Sequence, residues 1–379
     1  MTKILQIVST WGNGGVERYI SEFQPFLSDK YIYDVLAIRG VVQESLFSSN
    51  ILKYGGKIRN IPKKEGLSFL KRWKYRLNYV INFCKENNYK IVHINGTTAD
   101  ALLYAHVIKK YCPDTFVIVH CHGDNVDPPN IIFKKTLHYL VRLFYKRTPD
   151  YCLGCSKRTL IWMFGEKKLK FTKQHVLYCG IDIDKFQYSL EARDKFREIF
   201  NCEETFLVGT VGRFCEQKNP MYILQIISEL KKFTADFKFL WVGDGSMRDE
   251  IQKHAMDMGL YDSIIFAGIQ KDIAAVYSAL DVFILPSIYE GNPIVGFEAQ
   301  ASGLKCFFSN QIVEEARVID RTEFLPIALE NAKDWAYKII DYKEKYERCN
   351  TRDELLVSGQ DVQSCAFELQ KIYDSLREE

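Results

Sequence analysis

Apolar and polar positions along this chain follow one repeating scheme. Short runs of β-branched and aromatic residues alternate with longer segments whose apolar positions recur every three or four residues, the pattern of βα units feeding a parallel sheet. In the first half, strands are expected near residues 4–9, 33–38, 91–94, 116–119 and 176–178, separated by helices near 16–27, 67–85, 99–111, 131–146 and 157–164. The second half repeats the style, with strands near 206–211, 238–242, 264–266, 282–285 and 306–308 and helices near 221–232, 247–258, 273–279 and 294–301. Two helical stretches, 331–343 and 360–376, close the chain without a further strand.

The fold class expected is α/β: two Rossmann-like, doubly wound domains. A boundary falls at Gly180-Ile181-Asp182, dividing the chain into 1–182 and 183–379, the latter with a helical tail that can pack back on the first domain. Open sheets of this kind bind ligands beyond the carboxyl ends of their strands, so two such sheets facing an interdomain cleft would put the chemistry there.

Composition narrows the class. With 379 residues, 47% of them hydrophobic and 26% charged, the chain has an ordinary globular balance and enough length for two cores. No apolar run reaches the ~18 residues of a membrane span. The segment Ile4-Leu5-Gln6-Ile7-Val8 is too short for an export signal and lacks a small-residue cleavage site, so a cytoplasmic protein is expected. Eleven scattered cysteines fit buried thiols in a reducing compartment. The near-neutral net charge of +3 conceals a division: residues 1–182 hold 28 Lys and Arg against 14 Asp and Glu, while the remainder holds 23 against 34. Opposite halves suggest different partners.

Candidate chemistry clusters after the strands. The first runs into Trp11-Gly12-Asn13-Gly14-Gly15-Val16-Glu17 and then a helix; such a loop either cradles an anion against a helix N-terminus or is simply a tight turn. His93-Ile94-Asn95-Gly96 and His120-Cys121-His122-Gly123-Asp124-Asn125 follow the third and fourth strands, and alternation puts His120 and His122 on one face. Either histidine could serve as acid, base or donor to a sugar, or be satisfied by loop backbone. Cys152-Leu153-Gly154-Cys155 is a lone C-x-x-C, read as a packed strand end.

In the second half, Gly212-Arg213-Phe214-Cys215-Glu216-Gln217-Lys218-Asn219-Pro220 places two cations between a strand and a helix N-terminus, suited to a diphosphate: Arg offers a planar fork, Lys a mobile point charge. Val242-Gly243-Asp244-Gly245 forms another strand-end turn. The stretch from Pro286 to Gly303 carries Glu290 in a loop and Glu298 about two turns into the next helix, with the backbone N–H groups of Asn292, Ile294 and Val295 at the helix start. Glu298 lies on an otherwise small and apolar helix and therefore needs a partner.

Together these motifs resemble the retaining GT-B glycosyltransferases of family four, a group that includes bacterial capsule, exopolysaccharide and lipopolysaccharide enzymes, over nearly the whole chain. The resemblance rests on Gly14-Gly15-Val16-Glu17, Cys179-Gly180-Ile181-Asp182 with Phe186, Gly212-Arg213 with Gln217-Lys218-Asn219, Val242-Gly243-Asp244-Gly245, and the E-x7-E block from Glu290 to Glu298. It implies a nucleotide-sugar binding domain at 183–379 and an acceptor-binding domain at 1–182. Arg213 and Lys218 would hold the donor diphosphate, Glu298 the ribose and Glu290 the transferred sugar. Gly243, Asn292, Ile294 and Val295 would also contact the donor, with Phe266 and Ile269 beside the base and the Gly14-Gly15 loop over the diphosphate. The family's histidine falls on His122, with His120 second, and His120, Asn95 and Asn125 would face the acceptor. Departures are Leu304-Lys305, where a proline often follows Ala-x-Gly, and Asn292, where Phe or Leu is commoner.

The implied activity is metal-independent, retaining transfer of a sugar, with UDP as the expected carrier and no cofactor, to a saccharide or lipid-linked saccharide in surface polysaccharide biosynthesis. A GT-B sugar-nucleotide epimerase and an inactive GT-B scaffold of a polysaccharide assembly complex are the competing functions. Two basic and aromatic stretches, from Lys63 to Arg76 and from Lys134-Lys135 through His138 and Arg142 to Lys146-Arg147, are candidates for contact with an anionic membrane, or ordinary solvated helix faces. No recognition motif points to nucleic acid.

Overall fold

The structure is a computed structural model that describes residues 1–41, 45–126, 130–166, 173–343, 345 and 347–377. In chain order the first half comprises β1 (Thr2–Val8), α1 (Gly15–Leu27), β2 (Tyr31–Ala37), α2 (Ser48–Lys53), β3 (Ile58–Asn60), α3 (Phe69–Asn87), β4 (Ile91–Gly96), α4 (Asp100–Tyr111), β5 (Phe116–Cys121), α5 (Ile131–Tyr145), β6 (Tyr151–Gly154), α6 (Lys157–Phe164) and β7 (Lys173–Val176). There follow α7 (Leu190–Ile199), β8 (Leu207–Val211), α8 (Pro220–Phe233), β9 (Lys238–Val242), α9 (Arg248–Asp257), β10 (Ile264–Gly268), α10 (Ile273–Ala279), β11 (Val282–Leu285), α11 (Ile294–Ala301), β12 (Lys305–Ser309), β13 (Thr322–Leu325), α12 (Ala332–Lys343), α13 (Arg352–Val357) and α14 (Val362–Ser375).

These elements form two compact units, Met1–Gly180 with Val362–Glu379, and Ile181–Asp361. The last helix, α14, thus belongs to the first unit. The first unit's sheet is parallel in the order β3-β2-β1-β4-β5-β6-β7, and the second's is parallel in the order β10-β9-β8-β11-β12-β13. Central strands such as β8 and β11 are buried along their whole length, which is why they read as continuous apolar runs. Strands β3, β6 and β13 escape the sequence pattern, and the strand expected at 176–178 lies instead at Lys173–Val176. The sequences of β3 (Ile-Arg-Asn) and β7 (Lys-Gln-His-Val) are polar because these strands lie at sheet edges, each with one neighbour and water beyond.

Helices close the faces by amphipathic burial. In α8, Asn219 takes the left-handed conformation (φ 55°), Pro220 fills the first helical position, where a missing N–H costs nothing, and Tyr222, Ile223, Ile226, Ile227 and Leu230 form the buried stripe. In α14, Val362, Cys365, Ala366, Leu369, Ile372 and Tyr373 are buried. Tyr373 places its hydroxyl 2.7 Å from His93 Nδ1 and 3.2 Å from Gln6 Nε2, so the end of the chain completes a polar cluster on β1 and β4. Burial pushes His93 down to about 3.

Candidate active site

Each sheet reverses its winding beside its first strand, between β1 and β4 in one unit and β8 and β11 in the other, and loops beyond such a switch point can converge on a ligand. In the second unit the loop after β8 and the loop after β11 are fastened together. The Ile288 N–H donates to the Gln217 carbonyl at 2.9 Å, Gln217 Nε2 to the Tyr289 carbonyl at 3.1 Å, and Asn219 Nδ2 to the Pro286 carbonyl at 3.2 Å. Between these ties, Lys218 Nζ donates to Glu290 Oε1 at 2.6 Å, the two side chains being only 17% and 8% exposed. A charge pair this sheltered from water interacts far more strongly than a surface pair. Gly212 makes room for it, since a Cβ there would press within 3.2 Å of Lys218 Cε.

Arg213, on the same loop, is exposed and makes no ion pair among the described residues. Glu298 is fully buried on α11 and accepts a hydrogen bond from the Tyr277 hydroxyl of α10 at 2.7 Å; the Tyr277 ring in turn meets Phe186 edge-on at 5.9 Å. Tyr277 is the partner that Glu298 required, and no spacing rule in the sequence singles it out. Gly243 turns the chain after β9 with φ +133°, and a Cβ there would fall 2.0 Å from the Gly212 carbonyl, so only glycine lets the two loops approach. Of the helix-start amides, that of Ile294 donates to the Asn292 carbonyl at 2.9 Å. Asn292, Ile294 and Val295 are all partly exposed at the helix start. Phe266 packs among Phe214, Trp241 and Tyr261, whereas Ile269 is 52% exposed just beyond β10.

In the first unit the glycine loop is braced from within: Glu17, 7% exposed, accepts the Gly12 N–H at 3.2 Å, and Gly14 is the N-cap of α1, which begins at Gly15. His120 and His122 do share a face, with ring centroids 4.0 Å apart, but their surroundings differ. His120 is fully buried against Tyr19 and His93, and burial, then His122 and His93, hold its pKa well below the ordinary value. His122 is partly exposed, with Nε2 2.9 Å from Asn95 Oδ1 and Nδ1 3.8 Å from Cys179 Sγ. Asn95 is itself 5% exposed and donates to Gln6 Oε1 at 2.8 Å, which fixes the oxygen it presents to His122. Asn125 stays partly exposed, its Oδ1 taking the Val126 N–H at 2.9 Å.

The second basic stretch is corrected in part. His138 is buried, accepts the Ala99 N–H on Nδ1 at 3.0 Å and donates from Nε2 to the Trp162 carbonyl at 3.0 Å; Arg142 donates to that same carbonyl at 2.9 Å. Both tie α5 to its neighbours. The opposite face of α5 is apolar and open: Ile132 is 84%, Phe144 73%, Leu143 65% and Phe133 63% exposed. In the first stretch, Phe69 and Leu70 are exposed and Trp73 turns inward to stack on Tyr104. Among the described residues no helix is long and apolar enough to cross a membrane.

Two parallel Rossmann-like units, each with its loops gathered at a switch point, make up the GT-B fold. Residues 205–344 match the family described as Glycosyl transferases group 1. EpsF of Bacillus subtilis (strain 168), named as a glycosyltransferase, is 28% identical over 326 residues, covering 83% of this chain and 80% of that protein. The UDP-Gal:alpha-D-GlcNAc-diphosphoundecaprenol alpha-1,3-galactosyltransferase of Escherichia coli is 29% identical over 238 residues, covering 60% of this chain and 59% of that protein. Among solved structures, Anabaena Alr3699/HepE in complex with UDP and glucose superposes with a TM-score of 0.78 at 16% identity, over 99% of this chain and 100% of that one. The chain thus has the GT-B fold and carries, at residues 205–344, a glycosyl transferases group 1 domain of the family-four type.

Proposed function

We propose that this protein moves a sugar, with retention of anomeric configuration, from a UDP-sugar to a lipid-linked saccharide in surface polysaccharide biosynthesis. The observation that carries this reading is the sheltered Lys218–Glu290 pair at the switch point of the second unit, accompanied by a surface arginine, Arg213, and by the buried Glu298–Tyr277 contact. Lys218 has donors beyond the one given to Glu290, so it can bridge that carboxylate and a diphosphate oxygen, while Arg213 supplies a fork for the second phosphate. As the glycosidic bond breaks, charge grows on the departing diphosphate, and these cations stabilise it there. Glu290, fixed by Lys218 and Gln217, holds hydroxyls of the transferred sugar; Glu298 takes the ribose. The acceptor attacks from the leaving-group face and passes its proton to the departing phosphate oxygen. No metal or cofactor is assigned to this step.

The acceptor class is supported by the lipid-linked saccharide in the name of the Escherichia coli relative, and the carrier by UDP in the Anabaena neighbour. The open apolar face of α5, with Lys134 and Lys135 on the same helix, is suited to lie in the interface of an anionic cytoplasmic leaflet, where such acceptors are held. The deciding experiment is a thermal-shift panel of UDP- and GDP-sugars followed by transfer to a polyprenyl-diphosphate saccharide. Stabilisation by a UDP-sugar and an α-linked product support the reading; a donor-only conversion without acceptor, or an inverted product, overturns it.

A further inference from the structure

Among the described residues one group of three metal-ligating side chains comes together: His122, Cys155 and Cys179, whose ligand atoms all lie within 4.8 Å of one another. Sequence spacing conceals it. The visible C-x-x-C does not act as a pair, because Cys152 faces the core on β6 while Cys155, just past the strand end, meets Cys179 from the segment after β7. Strands β5, β6 and β7 are consecutive neighbours in the sheet, so residues just beyond their carboxyl ends stand side by side.

We propose that His122, Cys155 and Cys179 form a zinc-binding site whose occupation removes His122 from service. A tetrahedral zinc ion with Zn–S of about 2.3 Å and Zn–N of about 2.0–2.1 Å needs S···S of about 3.8 Å and S···N of about 3.6 Å. His122 Nδ1 already stands 3.8 Å from Cys179 Sγ. The remaining separations need to close by no more than about 1.2 Å.

The second observation is the orientation of the imidazole. Asn95 donates its amide to Gln6 Oε1, so the oxygen it turns to His122 must accept, and the proton of the ring therefore resides on Nε2. The lone pair of Nδ1 is left pointing toward Cys179, the arrangement in which a ligating histidine gives its other N–H to a fixed acceptor. Two thiols and one neutral imidazole select a soft or borderline cation over magnesium or calcium. Binding expels one proton from each thiol, and Zn²⁺ with two thiolates makes a neutral centre, which suits the two buried cysteines. One coordination position is left for water or a substrate oxygen.

The site stands independently of the transfer reaction; only the inhibitory consequence rests on His122 being the family's histidine. The test uses the full chain, reduced and stripped with a chelator. Zinc is titrated against a chromogenic competitor, and cobalt(II) is added separately for its thiolate charge-transfer absorption. One equivalent of zinc and tetrahedral cobalt bands are expected, with both lost by about 100-fold or more in affinity in Cys155→Ser and Cys179→Ser and retained in Cys152→Ser. Asn95→Leu should weaken binding about 10- to 100-fold. Should a serine variant fail to fold, X-ray absorption of the zinc-loaded natural chain decides: two sulfur neighbours support the site, and a shell of nitrogen and oxygen alone overturns it. Binding unchanged in folded Cys179→Ser also overturns it. Sugar transfer that falls with one equivalent of zinc and returns with chelator extends the site to regulation, whereas zinc binding without that fall restricts zinc to a structural place and overturns the inhibitory part.

Discussion

Lys218 and Glu290, 72 positions apart, are joined at 2.6 Å because the loops bearing them leave adjacent strands of the second sheet and are tied by Gln217 and Asn219. Removing one partner strands the other charge in a site largely closed to water, at a cost of about 3 kcal/mol. Lys218→Ala is therefore expected to lower the urea midpoint clearly, while Lys218→Met combined with Glu290→Leu recovers most of the loss. UDP binding measured calorimetrically should fall about 10- to 100-fold in Lys218→Ala and stay low in the double variant. A double variant as unstable as the single one would contradict the pairing.

Tyr277 bears on the donor through Glu298. Tyr277→Phe deletes the hydroxyl 2.7 Å from a fully buried carboxylate and should cost about 1–2 kcal/mol in stability. It should also reduce the rise in melting temperature produced by UDP, since the carboxylate assigned to the ribose loses its brace. An unchanged UDP response would detach Tyr277 from the donor site.

Acid should weaken the fold through His138. Burial first, and then Arg142, hold its pKa down at about 4, against about 6.5 when exposed. Below pH 6.5 the unfolded chain takes up a proton that the folded chain refuses, so the stability contributed by neutral His138 is whole above that pH. It is lost progressively as pH falls toward 4. In His138→Gln, whose amide can mimic both hydrogen bonds, the decline between pH 6.5 and 4 should be shallower by up to one proton, about 1.4 kcal/mol per pH unit. Urea titrations at pH 7, 6 and 5 measure that difference.

The open face of α5 gives a separate test. Ile132→Glu with Leu143→Glu replaces two side chains exposed by 84% and 65%, so folding should be unaffected. Sedimentation with vesicles containing anionic lipid should drop several-fold, and slow donor hydrolysis in solution should not change. Equal sedimentation of both proteins would remove α5 from membrane contact.

Much of this architecture was legible in the pattern of apolar positions because buried parallel strands and amphipathic helices impose it directly; the expected limits of β9, β11, α6, α10 and α11 coincide with those found. Edge strand β3 was not, and β7 was displaced along the chain, since water on one side relaxes the demand for apolar residues. Glu290, Glu298 and the cations were visible as charged residues in strand-end loops or on an apolar helix. Their partners were hidden: Tyr277 looks like any other core aromatic, and Cys155 and Cys179 meet only because β6 and β7 are neighbours. Burial, too, lies beyond the pattern, which is why His120 and His122 looked equivalent and are not.

The placement of α14 has a consequence for synthesis of the protein. Residues 181–361 are a complete unit, while the first unit still lacks the helix that supplies Tyr373 to His93 and Gln6 and Asp374 to Lys30 and Tyr31. A chain emerging from the ribosome therefore finishes its second unit first. The earlier-made sheet must wait, its β1–β4 polar cluster uncovered, until the last turns of helix arrive, reversing the usual order in which N-terminal domains mature ahead of C-terminal ones.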